Sequence, residues 1–330
     1  MNRRILTSVR VLMGFALALV LTASVVSSSA NAQSTANTLK VSPVRTDIQI
    51  EAGKTGEVPI TITNLTDAEI LVAPIENDFV QGDENGTPSI ILDADEFAPT
   101  HSLKRFMVPL GNVKVPANGS ATVKVVIKVP ANAQAGGYFG ALRFAPTTPD
   151  SGGQVNLSAS VASLILLTVP GPVTEQLNLT DFNLQQGSKP GTDFRTPNDL
   201  KAVFRFENKG NIQLGPFGKV SVTQGDKIVY DYDFNQQNPR DVVLPDGARK
   251  WEVPLKDIGE FGYYKVQATF TYGTTNKTIE VERSFWIIPT AFIIAAIAIL
   301  IVLIAGIVFL VIWLKGRRKR AIRRHAGRRR

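Results

Sequence analysis

The chain has 330 residues, a formal net charge of +8 and no cysteine. That excludes disulfides, thiolate metal sites and a cysteine nucleophile, so a folded exported domain has to be held by its apolar core. The positive charge sits at the ends: residues 1–32 carry +3, residues 315–330 carry +10, and the body between them carries 23 basic against 28 acidic residues. The body is therefore mildly acidic, and the basic balance says nothing about a polyanion partner for it.

The first segment, MNRRILTSVRVLMGFALALVLTASVVSSSANAQ, has a positive start, an apolar stretch and an Ala30-Asn31-Ala32 exit. It reads as a signal peptide over residues 1–32, cleaved after Ala32. From residue 38 the text turns to period-2 runs bounded by Gly, Pro, Asn and Asp, which predict strands. Val58, Ile60 and Ile62 alternate, then Val123, Val125, Ile127 and Val129, then Ala202, Phe204 and Phe206. Trp251 shares a strand face with Val253 and Leu255 and reads as core. VPGPV at 169–173 reads as a domain junction. Residues 291–314 contain no charge and predict a membrane-spanning helix, placed over 287–314, with Trp286 and Trp313 at its margins. The tail 315–330 follows directly. Its ten cations are Lys315, Arg317, Arg318, Lys319, Arg320, Arg323, Arg324, Arg328, Arg329 and Arg330. A dense basic run beside a span places that end in the cytoplasm and attracts anionic lipid. The tail has no aromatic residue to stack on bases, so nucleic acid is not expected as a partner.

The body also repeats itself. ITITNLTD, VPANGSATVKVVIKV and GGYFGALRF are followed, in the same order, by FRFENKGN, LPDGARKWEVPL and FGYYKVQATF. The expectation is all-β: two tandem immunoglobulin-like β-sandwiches over 38–172 and 173–285, then one transmembrane helix. Gly137-Tyr138 and Gly262-Tyr263 mark the turn into a late strand of each copy. Asn64 to Gly119 spans 55 positions and Asn208 to Gly247 spans 39, so domain 1 has 16 extra residues. Much of the excess is expected in 81–104, which carries Asp83, Glu84, Asp93, Asp95 and Glu96. These five acids are the candidate binding residues, since long loops on a rigid sandwich are common binding surfaces. The competing reading is an extra hairpin with solvated acids, with Ser89–Leu92 as a short strand.

No catalytic residue is assigned. His101 is alone in the body and has no nucleophile elbow near it, and no phosphate-cradling glycine loop is present. The acids at 93, 95 and 96 lack the EF-hand spacing, so no metal ligand and no cofactor is expected. Six Asn-x-Ser/Thr triplets begin at Asn64, Asn85, Asn118, Asn156, Asn178 and Asn276; the lack of cysteine favours a bacterial envelope protein and discounts them as glycan sites.

With LKVSPVRTDIQIEAGKTGEVPITITNLTD, AQAGGYFGALRF and FRFENKGNIQLGPFGKVSV, the chain resembles the bacterial WxL-interacting surface proteins. That resemblance implies a peptidoglycan-binding first Ig-like domain and a second one before the anchor. Domain 1 is also similar to the amino-terminal domain of periplasmic pilus chaperones. The main expectation is thus a non-enzymatic binding or scaffold protein in the cell membrane. Its two domains face outward toward a cell-wall polymer or surface protein, and membrane lipid is engaged by span and tail. The runner-up is an assembly factor that pairs strand edges with an exported partner; an envelope enzyme is the third reading.

Overall fold

A computed structural model describes residues 38–147 and 160–326, with side chains through Lys315. The signal-peptide reading and the last three arginines of the tail lie outside the described residues. The protein is two tandem Ig-like β-sandwiches followed by one helix.

In domain 1 the strands are β1 (Leu39–Ser42), β2 (Arg45–Gln49), β3 (Thr55–Asn64), β4 (Ile70–Gln81), β5 (Pro88–Ile90), β6 (Val113–Val115), β7 (Ser120–Lys128), β8 (Gly136–Thr147) and β9 (Val161–Val169). One sheet has the order β1-β3-β7. The other has β2-β9-β8-β4-β5, with β6 also paired to β4. The chain crosses from the first sheet to the second at the cis Ser42–Pro43 bond. The Ser163 hydroxyl donates to the Pro43 carbonyl at 2.7 Å, and β2 then runs parallel to β9 over five residue pairs.

Domain 2 repeats the plan with β10 (Leu177–Gln186), β11 (Lys189–Pro190), β12 (Asp193–Phe194), β13 (Leu200–Asn208), β14 (Phe217–Gln224), β15 (Lys227–Phe234), β16 (Ala248–Pro254), β17 (Gly262–Tyr272) and β18 (Lys277–Ile287). Its sheets are β11-β10-β13-β16 and β12-β18-β17-β14-β15, with β12 parallel to the last strand as β2 is in domain 1. The repeated sequence blocks coincide with matching strands: β3 with β13, β7 with β16, and β8 with β17. Where one face of a strand looks into a core and the other into water, burial alternates. In β17 that gives buried Tyr264, Val266, Ala268, Phe270 and Tyr272 between more exposed residues.

The matching reaches individual side chains. Asn64 and Asn208 end β3 and β13, and both are fully buried. The Asn64 amide donates to the carbonyls of Ala68 (2.7 Å) and Pro116 (3.0 Å), and its Oδ1 accepts from Thr66 N–H at 2.9 Å. The Asn208 amide donates to Ile212 (2.7 Å) and Val243 (2.9 Å), and its Oδ1 accepts from Gly210 N–H at 2.9 Å. Both backbone N–H groups donate to matching glycines, Gly119 and Gly247. Each asparagine therefore substitutes for a missing ladder at the strand end, since buried backbone carbonyls need donors. Burial also removes Asn64 as a glycan acceptor. Gly136 and Gly262 start β8 and β17 at φ 153° and 148°, and two residues later Tyr138 and Tyr264 donate their hydroxyls to the carbonyls of Gln134 and Phe261. The late-strand signal is thus Gly136-x-Tyr138 and Gly262-x-Tyr264, one register step from the paired dipeptides.

Trp251 is half-buried. Its ring meets Phe206 edge-on and Phe234 at a tilt, both at 5.6 Å between centroids, and it lines the same face as buried Val253 and Leu255. Strand β18 continues to Ile287, two residues beyond the boundary read from the sequence, and only Ile288 and Pro289 separate it from helix α1 (Thr290–Ala326). Pro289 sits just before the first turn, where a missing N–H costs little. The uncharged part of α1 belongs to a 26-residue stretch, Thr290–Lys315, long and apolar enough to cross a membrane. At 1.5 Å per residue it reaches about 39 Å, against a hydrocarbon core of about 30 Å. The helix continues into the basic tail as far as Ala326.

Candidate functional site

The five candidate acids separate into two groups. Asp83 and Glu84 sit at the tip of the β4–β5 hairpin, whose register is Phe79↔Ile90 to Gln81↔Pro88. Asp83 Oδ1 accepts from the backbone N–H groups of Asn85 (3.0 Å) and Thr87 (2.9 Å), closing the tip. The Thr87 bond leads in holding its carboxyl below the usual aspartate value. Asp93, Asp95 and Glu96 lie on a separate exposed turn. There Asp93 Oδ1 accepts from the Asp95 N–H at 2.9 Å, and the Ala94 and Glu96 carbonyls hold the Lys104 ammonium at 2.6 and 3.0 Å. Among the described residues no three His, Asp or Glu side chains are grouped to hold a metal ion.

Glu84 is directed at domain 2. Its carboxylate accepts from Arg205 Nε at 2.8 Å and from the Lys250 ammonium, and its carbonyl accepts from the Lys250 N–H. The Lys250 and Arg205 hydrogen bonds, in that order, hold the Glu84 carboxyl below its ordinary 4.5. Because β16 is the outer strand of its sheet, the hairpin tip covers part of an edge that would otherwise present unpaired backbone groups. Gly86, at φ 91°, lies so close to the Arg249 guanidinium that a Cβ would fall 2.3 Å from Cζ. The positive φ favours glycine there.

Beneath the hairpin the two domains share a small apolar cluster. Phe79, Phe139, Ala141 and Leu166 of domain 1 pack with Leu244 of domain 2, and all are buried. Backbone ties flank it: Gly137 N–H donates to the Asn211 carbonyl (2.8 Å), and the Asn211 amide returns a bond to Ala135 O (2.9 Å). Gln213 Nε2 donates to Thr168 Oγ1 at 3.0 Å. Burying side chains of Phe and Leu size contributes about 1.5–3 kcal/mol each, whereas half-exposed ion pairs contribute about 1 kcal/mol or less. The apolar cluster thus dominates the docking, and Glu84 fixes its register.

An interdomain cleft of about 200 Å³ opens beside this cluster, between Arg45, Phe79, Leu166 and Arg249. Both guanidiniums are engaged. Asp47 chelates Arg45 at 2.6 and 2.7 Å, and Arg45 also donates to the Arg240 carbonyl at 2.9 Å. Arg249 pairs with Asp241 at 2.9 Å and lies over the Trp251 ring.

His101 belongs to the scaffold of this region. Its Nδ1 lies 2.6 Å from the Gly137 carbonyl, and its ring packs on Tyr138 and Phe139. Buried Arg143 donates Nε to Asn77 Oδ1 at 3.0 Å, while Asn77 Nδ2 donates to Ile91 O at 2.7 Å. Desolvation lowers the guanidinium from its ordinary value. This pair anchors the start of the loop that carries the second acid group. Sequence reasoning did not single out Arg143 or Asn77; an Asn and an Arg inside otherwise apolar strands were the available signal. Of the tail cations, Lys315 is exposed; those from Arg317 to Arg324 lie on the continued helix α1.

No protein-family model matches the chain, and no curated protein matches it. Solved structures that align with the chain include chaperones. The class 5 fimbriae chaperone CfaA aligns at 10% identity and a TM-score of 0.37, covering 76% of this chain and 99% of that one. The Pseudomonas aeruginosa CupB2 chaperone aligns at 12% and 0.33, covering 74% and 100%. The E. coli chaperone DraB aligns at 17% and 0.29, covering 74% and 95%. At these values no residue role passes from one chain to the other.

Proposed function

We propose that the protein is a membrane-anchored binding or scaffold protein of the cell envelope, which presents its two Ig-like domains outside the cell as one fixed unit. The observation that carries this reading is the docking of the domains through a buried shared cluster and the Glu84 bonds, in a chain whose last strand passes into a span-length helix after two residues. The basic run beyond the span supports a cytoplasmic tail. The resemblance to WxL-interacting surface proteins supports a cell-wall polymer or surface protein as the partner. The exposed turn with Asp93, Asp95 and Glu96 remains accessible to such a partner, whereas Glu84 is engaged within the chain.

The test is in two steps. Protease added to intact cells or protoplasts should degrade the body and spare a fragment of span and tail; survival of the body with loss of the tail rejects the orientation. Crosslinking in the same cells should then join the body to wall fragments or a surface protein. A second reading has one observation in its favour: β15 is the outer strand of its sheet over eight residues, so a strand of an exported partner could add there. Stoichiometric capture of a single exported subunit, abolished by a proline at Tyr230, would favour that assembly role.

A further inference from the structure

The membrane-facing end of domain 2 carries a group of exposed aromatic side chains that the sandwich core does not use. Phe261, Tyr263 and Trp286 are 51%, 45% and 43% exposed. Tyr263 and Trp286 are cross-strand partners on β17 and β18, with ring centroids 5.0 Å apart. Phe261 stacks on Phe292, in the first turn of α1, at 4.9 Å and an interplanar angle of 21°.

Their presentation is fixed from behind. In the loop that leads into β17, Leu255 and Ile258 are buried in the domain 2 core. The Tyr264 hydroxyl donates to the carbonyl of Phe261 itself. Pulling Phe261 inward would require that loop to refold, so the ring stays outside. The other side of the group is tied as well: Trp286 N–H donates to the Thr192 carbonyl at 2.7 Å, and Ile288 N–H to Phe194 O at 2.9 Å. Arg195 follows at this same end, and on the Phe261 loop Lys256 is accompanied by the exposed Asp257 and Glu260.

An exposed aromatic group on a soluble domain calls for a partner. Here its position selects one. Phe261 and Phe292 are in contact, and Phe292 already belongs to the apolar helix, so the group is continuous with the lipid-facing surface of the span. Amphipathic and aromatic rings favour the headgroup layer. We infer that Phe261, Tyr263 and Trp286 form a platform that rests in the headgroup layer of the bilayer, so that domain 2 is seated on the membrane instead of swinging above it. This rests on α1 being a membrane span.

The chain lacks cysteine, so single nitroxide labels can be placed without background. Phe261→Cys, Phe309→Cys in the span and Leu65→Cys on domain 1 are each labelled in the full chain, reconstituted in phosphatidylcholine–phosphatidylglycerol vesicles. Accessibility to oxygen and to a water-soluble nickel chelate is then read for each. The expected ratio of oxygen to nickel accessibility is highest at 309, intermediate at 261 and lowest at 65. A 261 label as water-exposed as the 65 label, with the 309 label buried in lipid, overturns the platform alone. A 309 label as water-exposed as the 65 label overturns the span and the platform together. A second variant guards against an effect of the label itself: Phe261→Ser with Tyr263→Ser should raise the mobility of a label at Gln224→Cys, which sits at the same end of domain 2. Unchanged mobility there also overturns the platform.

Discussion

The two sandwiches follow one plan with different fillings. Two and four residues before the buried asparagine, domain 1 has Ile62 and Ile60 where domain 2 has Phe206 and Phe204, all fully buried. Along the late strand, counting from the matched tyrosines, Leu142 of domain 1 corresponds to Ala268 of domain 2. The larger rings of one strand are thus accompanied by a smaller residue on another, a pairing that limits overpacking. The aromatic cluster of domain 2 joins Phe204 to Phe182, Phe234 and Phe270 at 4.7–6.2 Å, while the domain 1 core is mainly aliphatic with Phe144 at its centre. The lesson is that the asparagine and the Gly-x-Tyr corner define this sandwich, and the core composition adapts around them.

The largest expected effect comes from the aromatic cluster. Phe204→Ala should destabilise domain 2 by about 3–5 kcal/mol. Chemical unfolding of the detergent-solubilised chain, with Trp251 fluorescence read in a Trp286→Phe, Trp313→Phe background to report on domain 2, should show this as an early transition. A loss below about 1 kcal/mol would mean that the cluster collapses around the vacancy. Next come the asparagines: Asn64→Ala and Asn208→Ala should each cost about 2–4 kcal/mol, because each strands several buried carbonyls and N–H groups. If one is costly and the other nearly neutral, the proposed equivalence of the two hubs fails. The core trade-off gives a third, smaller effect. Ile60→Phe should overpack domain 1 by about 1–3 kcal/mol, and adding Leu142→Ala should cost less than the sum of the two single changes. Strict additivity in that double-mutant cycle would show that the two sites are independent.

The smallest effect tests the contact that the β4–β5 hairpin makes with domain 2. Glu84→Gln removes the charge from the Arg205 and Lys250 contacts and should weaken domain docking by about 1 kcal/mol or less, since the groups are half-exposed. Because the folded-state pKa of Glu84 is depressed below its ordinary 4.5, its contribution is present above about pH 4.5 and is lost as the pH falls through the lowered value. Interdomain distance measurements between spin labels should broaden on acidification in the parent chain. In the Glu84→Gln variant the broadening should be already present in part and should depend less on pH.

Much of this organisation was legible in the sequence because it is written locally. Alternation marked β3, β7 and β13, the repeated Asn and Gly-Tyr signals fixed the pairing of the domains, and the uncharged run marked α1. What was not legible depends on partners far along the chain. Glu84 is one of five acids in a segment that reads as a polar loop; only its proximity to Arg205 and Lys250, more than 120 positions away, makes it a docking residue. The hairpin reading of that segment had a short strand at Ser89–Leu92, and β5 is Pro88–Ile90, so the strand lies in place while its role comes from domain 2. Asn64 read as a strand end and a glycan triplet, since nothing local tells a surface turn from a buried hub. The two-residue strands β11 and β12 have no periodicity to detect at all.

The parallel pairing of β2 with β9 has a mechanical consequence. Domain 1 enters through β1 and β2 and leaves through β9, so tension applied between its two ends pulls these neighbours lengthwise past each other. All five residue pairs of that ladder then bear the load together, whereas an antiparallel hairpin pulled from its open end parts one pair at a time. The matching β12–β18 ladder of domain 2 has two pairs. The longer of the two shear clamps thus belongs to domain 1, the domain farther along the chain from α1.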